Sequence, residues 1–230
     1  MDRIVLTELN YAECARYMGY GTSTPDETVL ALMRECESEI RFSAVPRFVY
    51  KIFDIQRDNG EIRLAQTDMI LNGESIRKHL EGCDKAILLC VTLSEPVDRI
   101  IRRAEISDMA KAVVMDAMAV TAIEQAGEKA EMMIREKYVK QHGQAYFTWR
   151  FGFGYGDLPL ADEVMALKIL DAGKTIGVNI NESLIMFPRK SVANIIGISK
   201  EEIKSGRRGC SSCSMRERCK FRLRGEHCGF

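Results

Sequence analysis

The stretch Arg150 to Pro159, Arg-Phe-Gly-Phe-Gly-Tyr-Gly-Asp-Leu-Pro, holds the residue types best suited to gripping a ligand. Three glycines on alternate positions cannot sustain a helix, and glycine is favoured where the chain turns sharply or where a ligand approaches main-chain N–H and C=O groups closely. Arg150 adds a rigid two-pronged anion clamp, and Tyr155 a flat face with a hydrogen-bonding tip. The pattern reads as a ligand loop, with a glycine-rich turn and a solvated arginine as the alternative. A second constellation lies at the end of the sequence. Cys210-x2-Cys213-x5-Cys219-x8-Cys228 gathers four thiols within 19 residues, on a Gly/Ser/Arg background that cannot build its own core. A metal or cluster is the natural staple for such a segment. The single Cys-x2-Cys has no matching second pair, which favours an iron–sulfur cluster over zinc, with metal-free thiols or disulfides as a third reading. His227, beside Cys228, is a substitute ligand or a neighbour of the site.

The elements that must position the loop follow from periodicity and punctuation. Asn10 and Glu13 form a capping box that starts a helix from Tyr11 to about Met18, stopped by Gly19. Thr24-Pro25-Asp26-Glu27 starts the next helix, with Thr24 as N-cap and Val29, Leu32, Met33, Cys36 and Ile40 on one face. Phe48 to Gln56 alternates as a strand, and Asp58-Asn59-Gly60 turns it into a partner over Glu61 to Gln66. After a brief helix at Ser75–Leu80, the apolar run Lys85–Leu93 predicts a strand buried on both faces at the centre of the sheet. Pro96 opens another helix, and a long Ala- and Met-rich one spans Asp108 to Lys140, with Met109, Met115, Met118, Met132 and Met133 expected mainly as core fillers. Ala145–Trp149 predicts the strand that delivers the loop, and Asp157 with Pro159 predicts a helix start running through Leu170. Ile176, Val178 and Ile180 alternate as a strand, and Ser191–Ile198 is the last. Strands and helices intersperse without a strict βαβ rhythm, so the expected class is α+β with a mainly antiparallel twisted sheet.

At 230 residues, with 46% hydrophobic and 29% charged, the composition is that of a soluble globular protein. Lys plus Arg balance Asp plus Glu at 33 each, so the overall charge calls for neither nucleic acid nor an anionic membrane. The balance conceals a basic tail: residues 206–230 carry seven Arg or Lys against two Glu, a balance of +5. Two units are expected, an α+β domain over 1–205 (N-terminal helices 10–43, core 44–205) and the Cys-rich tail 206–230. No signal-like or spanning apolar run is evident, which predicts a cytoplasmic protein without a membrane partner. Cys14, Cys36, Cys83 and Cys90 lie on apolar stripes and are expected as buried hydrophobes.

The glycine spacing also occurs in Rossmann nucleotide loops, but such a loop follows the first strand, whereas only 74 residues follow Gly156. A different resemblance is more specific. Arg150-x-x-x-Gly154-Tyr155 resembles the Arg-x-x-x-Gly-Tyr-Pro motif of the activation (reactivation) domain of cobalamin-dependent methionine synthase, with Gly156 in place of proline. Ile176 to Pro188 is similar to that family's Gly-x-x-Leu-Thr-Glu-Ser-Phe-x-Met-x-Pro segment. Ala86–Leu93 with Val97-Asp98, and Asp116-Ala117 with Glu124, also fit. Ile196 stands where the family has tyrosine.

The resemblance implies an S-adenosylmethionine site. In it Arg150 would clamp the carboxylate, Gly152 and Gly154 would admit the ligand to the main chain, and Tyr155 would pack on adenine or sulfonium. Glu182 would offset positive charge or cap the local structure. The implied role is reductive methylation of an inactive Co(II) corrinoid. The sequence has no corrinoid motif, so the cobalamin would belong to a partner methionine synthase or related methyltransferase. A reductase or ferredoxin-like protein would donate the electron, passed on by the cysteine cluster. A non-enzymatic iron–sulfur or zinc module that docks or chaperones the corrinoid protein is the alternative.

Overall fold

The computed structural model describes residues 3–21, 23–58, 60–203, 216–223 and 225. The β4 strand, Lys85–Thr92, is the axis of the molecule. Its apolar run is continuous because alternate side chains serve two different cores. Ile87, Leu89 and Val91 face one core, and Ala86, Leu88 and Cys90 face the other. It pairs antiparallel with β1 (Arg47–Asp58) on one side and β9 (Ser191–Ser199) on the other. β2 (Glu61–Leu64) and β3 (Ile70–Leu71) extend the sheet beyond β1, while β5 (Tyr146–Phe147) and β6 (Phe151–Gly152) both pair with β9. The β1–β2 hairpin closes with Asp58 opposite Glu61 and Gly60 at φ +82°.

One face of the sheet carries α1 (Tyr11–Tyr17), α2 (Glu27–Ser43), α4 (Glu95–Ser107) and α5 (Met109–His142). The other carries α3 (Glu74–His79), α6 (Asp162–Leu170) and α7 (Ala172–Ile176). The fold is therefore α+β, with an antiparallel sheet and packed helices. α5 is the hub of its layer, about 51 Å long for its 34 residues. Its stripe of Ala112, Ala119, Ala122, Ala126 and Ala130 lets neighbours approach closely, and Gly143 ends it. Among its methionines, Met115 and Met118 fill the core, whereas Met109 and Met132 are exposed. Cys14, Cys36, Cys83 and Cys90 are buried, and burial pushes each thiol up to about 11 or 12. α1 and α2 pack into the same core as the sheet.

Local expectations fail in instructive places. The N-cap of α2 is Asp26, not Thr24: its carboxylate accepts from Val29 N at 2.9 Å, which shifts the start by two residues. At α1 only half of the capping box forms. Asn10 accepts from Glu13 N, but Asn10 N donates to Gln125 and Glu13 turns to Arg16. The strand expected at Ala145–Trp149 is shorter: β5 pairs with β9, and Thr148 N adds one further bond, to Gly197 O at 3.0 Å. Ile176 ends a helix, and only Asn179–Ile180 (β7) pairs, with Met186–Phe187 (β8). The segment alternates because Gly177, at φ +77°, turns the chain and sends Val178 back into the core. A short helix, α8 (Lys220–Leu223), follows the half-buried Cys219. Among the described residues no helix is long and apolar enough to cross a membrane.

Candidate functional site

The loop from Arg150 to Pro159 is suspended between α5, α3 and β9. β6 holds its start, with Phe151 opposite Ile195 and Gly152 opposite Asn194. Its own hydrogen bonds then fold it tightly: Tyr155 N donates to Gly152 O at 3.2 Å, Gly154 N to Leu158 O at 3.0 Å, and Leu158 N to Tyr155 O at 3.2 Å. Gly154 sits at φ +78° and Gly156 at φ +61°, conformations that favour glycine. At Gly156 a Cβ would lie 2.5 Å from Ser75 Oγ, so this glycine also lets the loop touch α3. Gly152 has neither constraint; a Cβ there meets only Asn194 Nδ2, at 3.6 Å.

Asp157 does not start the following helix. Its two carboxylate oxygens accept from Glu74 N at 2.6 Å and Ser75 N at 2.9 Å, so it caps α3, 83 residues back in the chain. The preceding Gly73 cannot cap with a side chain, and these two N–H bonds hold the Asp157 carboxyl below its usual range. α6 consequently begins five residues later, at Asp162.

Arg150 is nine-tenths buried in its side chain, and its guanidinium lies across α5. Nη2 meets Glu124 Oε2 at 3.2 Å and Nε meets Glu131 Oε2 at 3.2 Å. Gly127, between them on the helix, makes the space: a Cβ there would sit 3.0 Å from Arg150 Cζ and overlap Nη1. Glu131 also pairs with Arg135, whose Nη2 donates to Thr148 O at 2.8 Å, fastening the strand ahead of Arg150 to the same helix. Glu128, on this face, is pushed up from the ordinary carboxylate range by loss of water. Glu124, Glu13 and Glu131 push the same way, and Arg150 opposes them. The face thus presents Glu124, Gly127, Glu128 and Glu131 at helical spacing, an acidic cradle for one arginine.

Tyr155 stands edge-on to Trp149 and Phe151, with ring centroids 5.6 and 5.2 Å away. His79 closes the cluster, 4.7 Å from Trp149 and 4.9 Å from Phe151, with Nε2 2.7 Å from Thr148 Oγ1. Burial pushes its imidazole down to about 4. Glu182 lies apart, exposed in the turn between β7 and β8, and forms no ion pair among the described residues. Ile196 is fully buried beneath α5, a core position. Arg150 is set against α5, whereas Tyr155 packs with Trp149 and Phe151 in the other core; both lie on one loop with Gly152 and Gly154, and Glu182 lies in the separate β7–β8 turn. Cys210, Cys213 and Cys228 lie outside the described residues. Among those described, no group of three or more His, Cys, Asp or Glu is placed to hold a metal.

The residues that sequence reasoning missed are Gly127, Glu128, Glu131 and Ser75. A lone glycine inside a long helix, flanked by glutamates at i−3 and i+4, was the available signal of a close approach.

No family model matches the sequence, and no curated protein matches it. The architecture is nonetheless a known one, that of methionine synthase reactivation domains. The chain is similar to a solved structure, the MetH reactivation domain bound to AdoHcy, with a TM-score of 0.63 and 15% identity over 96% of this chain and 82% of that one. The two share a fold.

Proposed function

We propose that this protein binds S-adenosylmethionine at the Arg150 loop and supports reactivation of a corrinoid-dependent methyltransferase, methionine synthase or a relative, carried on a separate chain. The observation that carries this reading is the shared fold across nearly the whole chain with a domain that holds AdoHcy. The cradle fits the ligand chemically. S-adenosylmethionine brings one carboxylate and two positive groups, its ammonium and its sulfonium. Arg150 supplies a buried guanidinium for the carboxylate, and Glu124 and Glu128 supply negative charge for the cations. Tyr155 offers an aromatic face to the sulfonium or adenine, and Gly152 and Gly154 give main-chain access. In the reaction the methyl group passes to the partner's reduced corrinoid and AdoHcy is released, while these residues position the ligand and shield it from water.

The four cysteines of the tail, Cys210, Cys213, Cys219 and Cys228, are proposed ligands of an iron–sulfur cluster, with zinc as the alternative; their spacing supports this. A cluster there would relay the electron from a reductase or ferredoxin-like donor. A visible spectrum and metal analysis of anaerobically purified protein test it, and stoichiometric zinc without iron would remove the relay.

One observation favours a second reading, a docking module without ligand. The guanidinium is already ion-paired, and the N–H groups of Gly154, Tyr155 and Leu158 are bonded within the loop. Titration calorimetry separates the two. The first reading expects S-adenosylmethionine and AdoHcy to bind, with Arg150→Ala weaker by roughly 10- to 100-fold, the worth of charge-assisted hydrogen bonds. Absence of binding to the unaltered protein leaves the docking module.

A further inference from the structure

The first half of β1 is an unpaired sheet edge. Ile55 N donates to Asp84 O at 2.9 Å, and Ala65 N donates to Asp54 O at 2.9 Å from the opposite side. Odd-numbered residues of β1 therefore turn their main-chain groups to β4, and even-numbered ones turn theirs outward. β2 covers that outer edge only from Ile55 to Asp58. The N–H and C=O groups of Phe48, Tyr50 and Ile52 are left without partners among the described residues. Phe48 and Tyr50 line a cleft of about 760 Å³, which Ile4 to Leu6 and Thr175 and Ile176 also line, and Ile52 continues the open edge beyond it.

The cleft has a charge preference. Arg3, Arg47 and Lys137 line it, and none of the three forms an ion pair among the described residues. Lys137 Nζ lies 5.9 Å from the Tyr50 ring, and Phe48 and Tyr50 stack at 6.2 Å to give a flat apolar bed beside the edge. Cations beside an open edge repel a second copy of the same edge and also the basic tail of this chain, and they attract an anionic strand.

We propose that the edge from Phe48 to Ile52 docks an extended acidic segment of a partner protein, which joins the sheet as an added strand. The main-chain groups of Phe48, Tyr50 and Ile52 provide the ladder, the Phe48–Tyr50 bed takes apolar side chains, and Arg3, Arg47 and Lys137 select acidic ones. The site is separate from the Arg150 loop and does not depend on what that loop binds.

The test uses the full chain and a fluorescein-labelled peptide, Glu-Val-Glu-Val-Glu-Val-Glu, at low salt, followed by anisotropy and amide hydrogen exchange. The acidic peptide should bind, slow exchange at Phe48, Tyr50 and Ile52, and exceed by roughly tenfold both a Lys-for-Glu peptide and one N-methylated at alternate amides. The double change Arg47→Glu and Lys137→Glu, both at exposed side chains, should weaken binding by about tenfold and leave the denaturation midpoint in place. Absence of binding, equal binding of the N-methylated peptide, or protection elsewhere would overturn the proposal. So would protection of the same amides by concentration-dependent dimerisation, which assigns the edge to a second copy, or displacement of the peptide by inorganic phosphate without loss of an amide ladder, which assigns the cleft to a small anion.

Discussion

Two buried titratable groups on the same face of the sheet should impose opposite pH dependences on stability. Glu163, 5% exposed on α6, is pushed from 4.5 up to about 7 by loss of water. Between pH 4.5 and 7 the folded chain holds a proton on this carboxyl that the unfolded chain has released, so stability falls as pH rises. At 1.36 kcal/mol per unit the ceiling is about 3 kcal/mol. His79 is pushed from 6.5 down to about 4. Between those values the unfolded chain holds the extra proton, so stability rises with pH by a similar amount. The two slopes oppose each other between about pH 4.5 and 6.5, and single substitutions should unmask them. Urea denaturation of Glu163→Gln from pH 4.5 to 8 should show the variant gaining on the parent by about 3 kcal/mol as pH rises, with most of the gain complete by pH 7.5. His79→Gln should show the reverse trend, losing to the parent least at low pH, where the parent must protonate a buried ring. A Glu163→Gln difference that stays constant across this range would refute the reasoning, because a carboxyl titrating at its ordinary value produces no such window.

The coupling of Gly127 to Arg150 can be measured by a double-mutant cycle. Gly127→Ala should destabilise the parent by displacing the guanidinium, yet stabilise an Arg150→Ala background by up to about 1 kcal/mol through helix propensity, with the sign change read from denaturation midpoints. Asp157→Ala should cost about 1 kcal/mol by uncapping α3, and the loss should shrink as pH falls through the depressed pKa of that carboxyl, where the parent loses the same bonds. In native protein, mass-resolved alkylation at pH 7.5 should spare Cys14, Cys36, Cys83 and Cys90, since buried thiols with raised pKa hold almost no thiolate; labelling of all four without denaturant would contradict their placement.

Patterns that depend on near neighbours were legible in the amino-acid sequence, and contacts across the chain were not. The run Lys85–Leu93 announced a strand buried on both faces because period-two geometry turns a continuous apolar stretch into two faces, and β4 sits between β1 and β9 as expected. Asp157-Leu158-Pro159 carried a sound local signature of a helix start, but its carboxylate found two N–H donors on α3 that no local reading contains. Ile176, Val178 and Ile180 alternate in sequence because a helix end and a left-handed glycine reproduce the spacing of a strand. At the site, the residue types of the loop were legible. The partners of Arg150 were less so: Glu124 stood out only through the family resemblance, while local periodicity singled out neither Glu128 nor Glu131.

Those partners change what ligand binding at the loop would require. A solvated arginine accepts a carboxylate by addition, whereas at Arg150 an incoming carboxylate competes with Glu124 and Glu131, which already pair with Nη2 and Nε. Exchange leaves a displaced glutamate beside Glu128, which is already short of water and crowded by like charge. A ligand that brings an anion alone would therefore meet a site made more negative by its own arrival. A ligand that brings a carboxylate together with a nearby cation relieves both imbalances at once: the carboxylate takes the guanidinium, and the cation takes the freed glutamate. If the loop takes the ligand proposed above, the acidic face of α5 would act as a filter for zwitterions and cations of the S-adenosylmethionine type. Gly127 is the residue that lets the guanidinium lie against the helix between these glutamates, and the exchange would start from that close approach.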